Sequence, residues 1–216
     1  MPTKASARNR RPATDRKFTR IISSAAKVFS KTGYEKASIR MVAAKARVSL
    51  AGIYYHVQSK DELLFLIQFN AFQTILSGLK KKLEAEAGSD PIERLRILIR
   101  NHFSYFLSHM DELKVCSREL ETLSGAFYRK VAEVRREYFK IALDIVKEIA
   151  QGKERSPEAG DPAVDPRIAA LCLFGMLNWI YTWYDPGKDT ADSLSEQLLG
   201  LYLGGIGSKD TGEVKE

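Results

Sequence analysis

Apolar residues recur at intervals of three and four along nearly the whole 216-residue chain, and the strict alternation typical of strands is missing. This spacing places apolar side chains on one face of successive amphipathic helices. Between Arg16 and Thr32, such a stripe runs from Phe18 to Phe29, and Gly33 follows as a common helix terminator. The pattern predicts an all-α fold of about nine helices.

Polar capping residues predict where the later helices begin. Ser59 and Glu62 form a capping box that opens a long helix, and Asp90-Pro91 has the sequence of a helix start. Further helices are predicted over about 111–123, 126–151, 166–184 and 190–204, with a Pro- and Gly-rich loop at 152–166.

Neither a membrane span nor a secretory signal is expected. No uncharged stretch exceeds the 17 residues of 168–184, which is shorter than the roughly 20 apolar residues that a spanning helix needs. The basic start of the chain is not followed by the apolar run of a signal peptide. We therefore expect a cytoplasmic protein that does not contact a membrane.

Positive charge is concentrated at one end of the chain. Of 34 Lys and Arg residues, 14 lie within residues 1–60 beside only two acids, whereas the remainder carries 20 bases and 25 acids. This asymmetry indicates a basic head that meets a polyanion and an acidic body with another role.

Within the basic head, residues 38–57 have the spacing of a helix-turn-helix. Two helices that cross steeply need a small residue at their contact, an apolar residue in the turn and another on the second helix, and Ala43, Val48 and Ile53 supply these. Arg47 occupies the turn position where a left-handed backbone is usual, at a cost of about 1 kcal/mol for a residue other than glycine. Such a motif places its second helix in the major groove of DNA. The alternatives are an ordinary helical hairpin and a helical protein that binds nucleic acid without sequence preference.

The run from Ser38 through IYYHVQSKDELL resembles the N-terminal domain of the tetracycline-repressor (TetR) family, over residues 16–66. The resemblance implies DNA contacts by Ser38, Arg40, Ser49, Leu50, Ala51, Gly52, Tyr54, Tyr55, His56 and Lys60. Phosphates are the expected partners of Ser38, Tyr54, His56 and Lys60, and Arg40 is expected to contact a phosphate or a guanine edge. Because the leading residues 49–52 are small or apolar, thymine-methyl contacts together with Arg40 and Tyr55 are expected to select the sequence. For the basic arm with Lys4, Arg8, Arg10 and Arg11, contact with DNA and a solvated tail remain alternatives.

The last two helices are predicted to form a dimer interface. The segment LCLFGMLNWIYTWY is apolar all round, as in a helix buried on more than one side. A short recognition helix reads few base pairs, so such modules act as two-fold dimers on palindromes. We expect a homodimer through a four-helix bundle, the alternative being that this pair is internal core.

The helices between residues 63 and 151 are rich in aromatic residues, which most often form core, but the TetR resemblance implies an apolar effector pocket there. The segments CSREL (116–120) and FGMLNWIYTWYDP (174–186) resemble a branch of the family that responds to acyl-coenzyme A (acyl-CoA) or related lipids. The expected effector contacts are Phe69, Phe103, Phe106, Met110, Arg118, Tyr138, Trp179 and Trp183. A phosphate of coenzyme A would need a basic residue such as Arg118, Arg129, Arg135 or Arg136. The alternative is that these arginines pair with Glu119, Glu133 and Glu137. A second candidate effector is an aromatic, drug-like compound.

No HExxH, GxSxG, P-loop or Rossmann glycine pattern occurs in the chain, so neither an enzyme, a metal site nor a cofactor is expected. The predicted organisation is a basic arm (1–15), a DNA-binding domain (16–62), a ligand-binding and dimerisation domain (63–206) and a tail (207–216). The predicted function is a ligand-responsive homodimeric regulator, with repression favoured, that an apolar effector releases from a palindromic operator.

Overall fold

A computed structural model describes residues 12–152 and 164–204 of the chain, with side chains from residue 16 onwards. The described residues form nine α-helices: α1 (Pro12–Thr32), α2 (Ile39–Ala46), α3 (Leu50–Tyr54), α4 (Lys60–Ala85), α5 (Pro91–Phe106), α6 (Met110–Arg118), α7 (Gly125–Gly152), α8 (Pro166–Trp179) and α9 (Ala191–Gly204). A 3-10 turn, Ile180–Thr182, follows α8, and no strand occurs in these ranges. The prediction of an all-α fold is confirmed. The basic residues Lys4, Arg8, Arg10 and Arg11 and the tail 207–216 lie outside the described residues.

Polar caps start the helices where the sequence predicted them. Ser59 Oγ accepts a hydrogen bond from the Glu62 backbone N–H at 3.0 Å, and the Glu62 carboxylate accepts one from the Gln58 N–H at 2.6 Å. The Glu62 carboxylate therefore bonds the N–H of the residue before the N-cap Ser59, and not that of Ser59 itself as in a capping box. Asp90 Oδ1 accepts from the Ile92 N–H at 2.8 Å, which starts α5. These bonds satisfy backbone donors that have no partner inside the first helical turn.

Two predicted helices are too long. Helix α6 ends at Arg118 and not near residue 123, since the Glu119 carbonyl accepts a hydrogen bond from Gln68 Nε2 at 2.8 Å instead of continuing the helix. Helix α8 ends at Trp179 and tightens into the 3-10 turn, so the predicted helix over 166–184 is wrong at its C-terminal end.

The buried apolar residues form two clusters. The first, the head core, consists mainly of residues from α1–α3 and the first part of α4, including Ile21, Val42 and Ile53. The second, the body core, consists of residues from the rest of α4 and from α5–α9. Helices α6 and α7 contribute to both, because Val115 and Val131 belong to the head core and Leu113 and Val134 to the body core. Helices α4, α6 and α7 therefore join the two parts.

Helix α4 is the one helix in the described ranges that is long and apolar enough to cross a membrane by length and composition alone. Half of its most apolar 18-residue window is buried inside the protein. The core helices of soluble proteins often satisfy the same test, so the finding is weak evidence for a membrane role.

Candidate DNA interface and effector region

Helices α2 and α3 form the predicted helix-turn-helix. Val42 and Ile53 are fully buried between the helices of the head, and Ala43 is nearly so. The carbonyl of Ala43 accepts a hydrogen bond from the Val48 N–H at 3.0 Å, which draws the turn against α2. Arg47 has φ 52° and ψ 51°, in the left-handed region. The left-handed backbone expected at this position is therefore present.

Two exposed serines cap the helices of the motif. Ser38 Oγ accepts a hydrogen bond from the Met41 N–H at 3.3 Å, and Ser49 Oγ accepts one from the Gly52 N–H at 3.0 Å. Both hydroxyl groups act as acceptors in these bonds, so each retains a proton that it can donate to a phosphate.

Most of the residues predicted to read DNA are exposed on or near α3, whose buried side is formed by Ile53. Tyr54 and Tyr55 are 54% and 71% exposed, and Leu50 is also exposed, whereas Ile53 is fully buried on the same short helix. Arg40, Ser49 and Ala51 are exposed as well, and Gly52 is half-buried. Leu50, Tyr54 and Tyr55 together form an exposed patch, and such patches mark interaction surfaces.

His56 and Lys60 are engaged within the protein. The His56 ring is half-buried, with its centroid 5.7 Å from the ring of Phe18. Lys60 Nζ donates hydrogen bonds to the carbonyls of Tyr34 at 3.0 Å and Ala37 at 3.3 Å, and lies 4.1 Å from the centroid of the Tyr34 ring. This ammonium group ties the start of α4 to the segment between α1 and α2, so its predicted phosphate contact would compete with these bonds.

Sequence reasoning missed Lys17 as a candidate contact. A Cβ atom placed on Gly52 would lie 3.4 Å from Lys17 Nζ and 3.2 Å from Ser49 Oγ, so this ammonium group lies against the leading end of α3. The available signal was the basic start of α1, where Arg16, Lys17 and Arg20 fall within five residues. The prediction counted these charges without assigning them a place.

The predicted effector residues fall in separate places. Phe103, Trp179 and Trp183 line an open groove of about 800 Å³ between α5, α8 and α9. The other lining residues are Gly175, Met176, Asp189, Leu194, Gln197, Leu198 and Leu201. Trp179 and Trp183 are 61% and 54% exposed, so this groove opens on the outer face of the last two helices.

Phe106 and Tyr138 lie in the body core beside His102, which the prediction did not include. The His102 ring centroid is 4.8 Å from that of Phe106, 6.2 Å from that of Tyr138 and 6.3 Å from that of Phe174. Neither imidazole nitrogen of His102 nor Oη of Tyr138 has a hydrogen-bond partner among the described residues. Burial lowers the pKa of His102 to about 3 and raises the pKa of Tyr138 above its usual range, so both side chains are neutral near pH 7.

The remaining three predicted contacts are distributed around this cluster. Phe69 stacks on Phe65 with a centroid distance of 5.2 Å, at the boundary of the two cores. Met110 packs against the body core from the start of α6, and Arg118 Cζ lies 5.2 Å from the centroid of the Tyr181 ring. The structure therefore does not gather all eight predicted contacts into one pocket.

The arginines considered for a phosphate are not paired with the acids named as alternatives. Within residues 16–152 and 164–204, none of Arg118, Arg129, Arg135 and Arg136 forms an ion pair with a carboxylate. Glu119 instead accepts from the Tyr34 N–H at 3.1 Å, and Glu137 pairs with Lys80. Arg135 is half-buried, and burial lowers the pKa of its guanidinium. The alternative of surface ion pairing is wrong for this part of the chain.

Comparison with known sequences decides the family. Residues 21–67 match the family described as "Bacterial regulatory proteins, tetR family", and residues 88–206, more than half of the chain, match "Tetracyclin repressor-like, C-terminal domain". The chain belongs to the TetR family. It is thus a DNA-binding transcriptional regulator from a family of repressors and not an enzyme, as its sequence predicted.

Among its TetR-family relatives is the fatty acid metabolism regulator protein of Bacillus subtilis (strain 168), with 24% identity over 195 residues, 89% of this chain and 97% of the relative. The fold is similar to that of PfmR from Thermus thermophilus, with a TM-score of 0.74, 27% identity and coverage of 88% of this chain and all of PfmR. It is also similar to AibR in complex with isovaleryl coenzyme A and operator DNA, with a TM-score of 0.71 and 26% identity, over 86% of this chain and 97% of AibR.

Proposed function

We propose that this TetR-family protein is a homodimeric repressor that binds a palindromic operator and is released by an acyl-CoA or a related fatty-acid derivative. The proposed DNA contacts rest on one observation, namely which side chains of α3 are buried and which are exposed. This helix buries Ile53 completely and exposes Tyr54 and Tyr55 beside the basic residues of the head. It therefore offers a rigid, aromatic face to the major groove, with Arg40 at its side.

The DNA contacts divide by role. Ser38, Tyr54 and Lys17 position the head on phosphates, because their hydroxyl and ammonium groups suit phosphate oxygens and carry no base information. Arg40 and Tyr55 contact base edges, and the small residues of the leading turn of α3 admit thymine methyl groups. Lys60 and His56 act mainly by holding α4 and α3 in place, with phosphate as a secondary partner.

The dimer forms through α8 and α9. Leu171 and Trp179 of α8, Leu201 of α9 and Trp183 of the connection between them are exposed, and an exposed apolar patch of this kind marks an interaction surface. A second copy of the chain would cover it as a four-helix bundle. In this arrangement Trp179 and Trp183 serve the interface, and the effector site lies in the body near Phe103, Phe106 and Tyr138.

Two features of the body favour an acyl-CoA. Its core is rich in aromatic and aliphatic side chains, which suit an acyl chain. Arg118 and Arg135 carry guanidinium groups without a carboxylate partner in the described ranges, and such groups suit phosphates. The relatives point the same way, since AibR was solved with isovaleryl coenzyme A and the Bacillus subtilis relative regulates fatty acid metabolism. A protein that meets chromosomal DNA and acyl thioesters is expected in the cytoplasm.

Helix α6 is placed to transmit effector binding to the head. Ser30 Oγ of α1 donates a hydrogen bond to Asp111 Oδ1 of α6 at 2.5 Å, and α6 also packs into the body core through Leu113. An effector that shifts α6 would therefore move α1. Release of DNA then follows from a difference in effector affinity between the DNA-competent state and another arrangement of the heads.

Competition binding tests the DNA-binding part of the proposal. A labelled palindrome from upstream of the gene should stay bound in excess random DNA, and Arg40→Ala should weaken this complex about tenfold or more while the dimer persists. Lys81→Ala is the matched control, because it removes an exposed positive charge from α4 outside the head. If random DNA displaced the labelled palindrome as effectively as unlabelled palindrome does, the protein would bind nucleic acid without sequence preference.

A thermal-shift panel tests the effector class. Acyl-CoAs of short, medium and long chains are compared with the corresponding free fatty acids and with aromatic drugs, and each stabilising compound is then tested for release of the operator. A stabilisation of about 3 kcal/mol is expected when an acyl-CoA is present at about a hundred times its dissociation constant. Stabilisation by aromatic drugs alone would establish the alternative effector class.

A further inference from the structure

His102 and Tyr138 form a polar pair inside the apolar body core. His102 is 1% exposed and Tyr138 is 2% exposed, and the rings of Phe106 and Phe174 flank them. Both imidazole nitrogens and the phenol oxygen lack a hydrogen-bond partner among the described residues. Asn101 Nδ2 donates to the Ile75 carbonyl at 2.9 Å and forms no hydrogen bond to Tyr138 Oη.

An arrangement of this kind is unfavourable for the protein alone. A buried polar atom without a partner has lost its hydrogen bonds to water and has gained none in return. Such atoms are rare in native proteins, and each calls for an explanation, such as a ligand, an ordered water or a functional role. The other buried polar atoms without a partner in the described ranges are single atoms, one each on Gln68, Ser89, Arg94, Ser117 and Tyr202. Three unpartnered atoms on two neighbouring rings therefore point to a ligand group.

The charge state of the pair narrows the chemistry of that group. Burial keeps His102 neutral and Tyr138 protonated, so the pair offers a phenol O–H and one imidazole N–H, and no positive charge. A carboxylate bound there would be buried beside neutral groups, which is costly. A carbonyl oxygen has two lone pairs and no charge, so it matches two neutral donors.

We propose that His102 and Tyr138 bind the neutral carbonyl oxygen of the effector and so select acyl thioesters over free carboxylic acids and over chains without a carbonyl. This inference rests on the proposed function, because it places the thioester of an acyl-CoA in the body core. The rings of Phe106 and Phe174, which flank the pair, would then contact the acyl chain beside the thioester. Selection of the thioester lets the protein respond to the activated acid rather than to the free one.

The test compares probes that differ only at the carbonyl. Acyl-CoAs are measured against S-alkyl-coenzyme A thioethers of the same chain length and against the free acids, by calorimetry and by release of a labelled operator. The full-length proteins are wild type, Tyr138→Phe, His102→Leu and the control Tyr202→Phe. The control removes an equally unpartnered hydroxyl from α9.

We expect wild type and Tyr202→Phe to bind the thioester about tenfold more tightly than the thioether, and Tyr138→Phe and His102→Leu to bind the two about equally. Equal binding of thioester and thioether by wild type, unchanged discrimination in Tyr138→Phe or tighter binding of the free acid would overturn the inference while the proposed function stands. Failure of every thioester to bind would overturn the proposed effector class, and the carbonyl contact with it.

A second measurement needs no effector. Tyr138→Phe should melt at a temperature no lower than that of wild type, because it removes a hydroxyl without a partner. A clear loss of melting temperature would mean that the hydroxyl has a partner within the protein, and this result would overturn the inference even if acyl-CoAs bind. Because this variant is isosteric apart from one atom, it remains informative if His102→Leu fails to fold.

Discussion

Arg47 sits in a conformation that its side chain disfavours. It is the one non-glycine residue with positive φ in the described ranges, and its N–H still bonds to the Ala44 carbonyl at 3.2 Å. The left-handed region costs a residue with a Cβ atom on the order of 1 kcal/mol. The head core maintains this strain because Val42 and Ile53 fix the two helices on either side of the turn.

Replacing Arg47 with glycine should therefore stabilise the protein. The expected gain in the free energy of unfolding is about 0.5–1 kcal/mol, since relief of strain outweighs the greater freedom of glycine in the unfolded chain. Urea unfolding measures this change. Lys45→Gly, in the last turn of α2, is the control, and it should destabilise by about 1 kcal/mol because its backbone is helical. A loss of stability in Arg47→Gly would show that the Arg47 backbone is not strained.

His102 should make the stability of the protein sensitive to mild acid. Its pKa is about 3 in the folded protein and about 6.5 when unfolded, so only the unfolded chain takes up a proton between these values. Stability is therefore complete above pH 6.5 and falls as the pH is lowered towards 3. The contribution lost between pH 7 and pH 5 is about 2 kcal/mol.

Urea unfolding of wild type and His102→Leu at pH 7 and pH 5 measures this loss. The stability of His102→Leu relative to wild type should rise by about 2 kcal/mol at the lower pH. Phe103→Leu alters a buried neighbour that does not titrate, so its effect should be the same at both pH values. An unchanged difference for His102→Leu would show that the imidazole is already protonated or is accessible to water.

Helix α6 is the shortest of the three helices, α4, α6 and α7, that contribute to both cores. Val115 packs in the head and Leu113 in the body, and Asp111 and Glu119 accept hydrogen bonds from Ser30 and from the Tyr34 N–H. A short helix held in this way moves as a unit, so any displacement in the body reaches α1.

Loss of the bond between Ser30 and Asp111 should weaken this coupling. We expect Asp111→Ala to keep operator affinity within about threefold of wild type, while the effector concentration for half-release rises about fivefold or more. Fluorescence anisotropy of a labelled operator measures both values. Asp144→Ala is the control, because it removes an acid that pairs with Lys140 on the surface of α7. An unchanged response in Asp111→Ala would exclude this bond from the coupling.

At the scale of the whole molecule, the proposed dimer depends on the outer face of α8 and α9. Exposed tryptophans and leucines on these helices contrast with the ion pairs that hold α9 to α5, such as Arg100 with Asp192 at 2.7 Å. Buried Leu194 and Leu199 also hold α9 to the body, and further apolar side chains are available outward. Apolar side chains on both sides are typical of a helix pair that completes its core with a second subunit.

Leu171→Glu should therefore convert the proposed dimer into a monomer. A carboxylate in the centre of an apolar four-helix bundle would be buried without a partner, at a cost of several kcal/mol. Sedimentation or light scattering gives the mass. Ile92→Glu replaces another exposed apolar residue, on α5, and should leave the mass unchanged. A dimeric Leu171→Glu would place the interface elsewhere.

Local sequence signals predicted a large part of this fold. The caps at Ser59 and Asp90, the spacing of Ala43, Val48 and Ile53 and the left-handed turn all involve residues close together in the chain. Their geometry depends on backbone hydrogen bonds and on steric exclusion within a few residues, so a single sequence contains the information. The family resemblance then linked that motif to DNA.

Contacts between distant segments could not be predicted in this way. The approach of Lys17 to Gly52, the engagement of Lys60 by carbonyls near Tyr34 and the meeting of His102 with Tyr138 depend on how separate helices pack. Helical periodicity assigns His102 to a buried face, but it does not say which side chain faces it or whether a hydrogen bond results. The helices and their DNA-reading motif thus follow from local interactions in the sequence, whereas the charge partners and the unpartnered polar pair arise from the packing of the helices against one another.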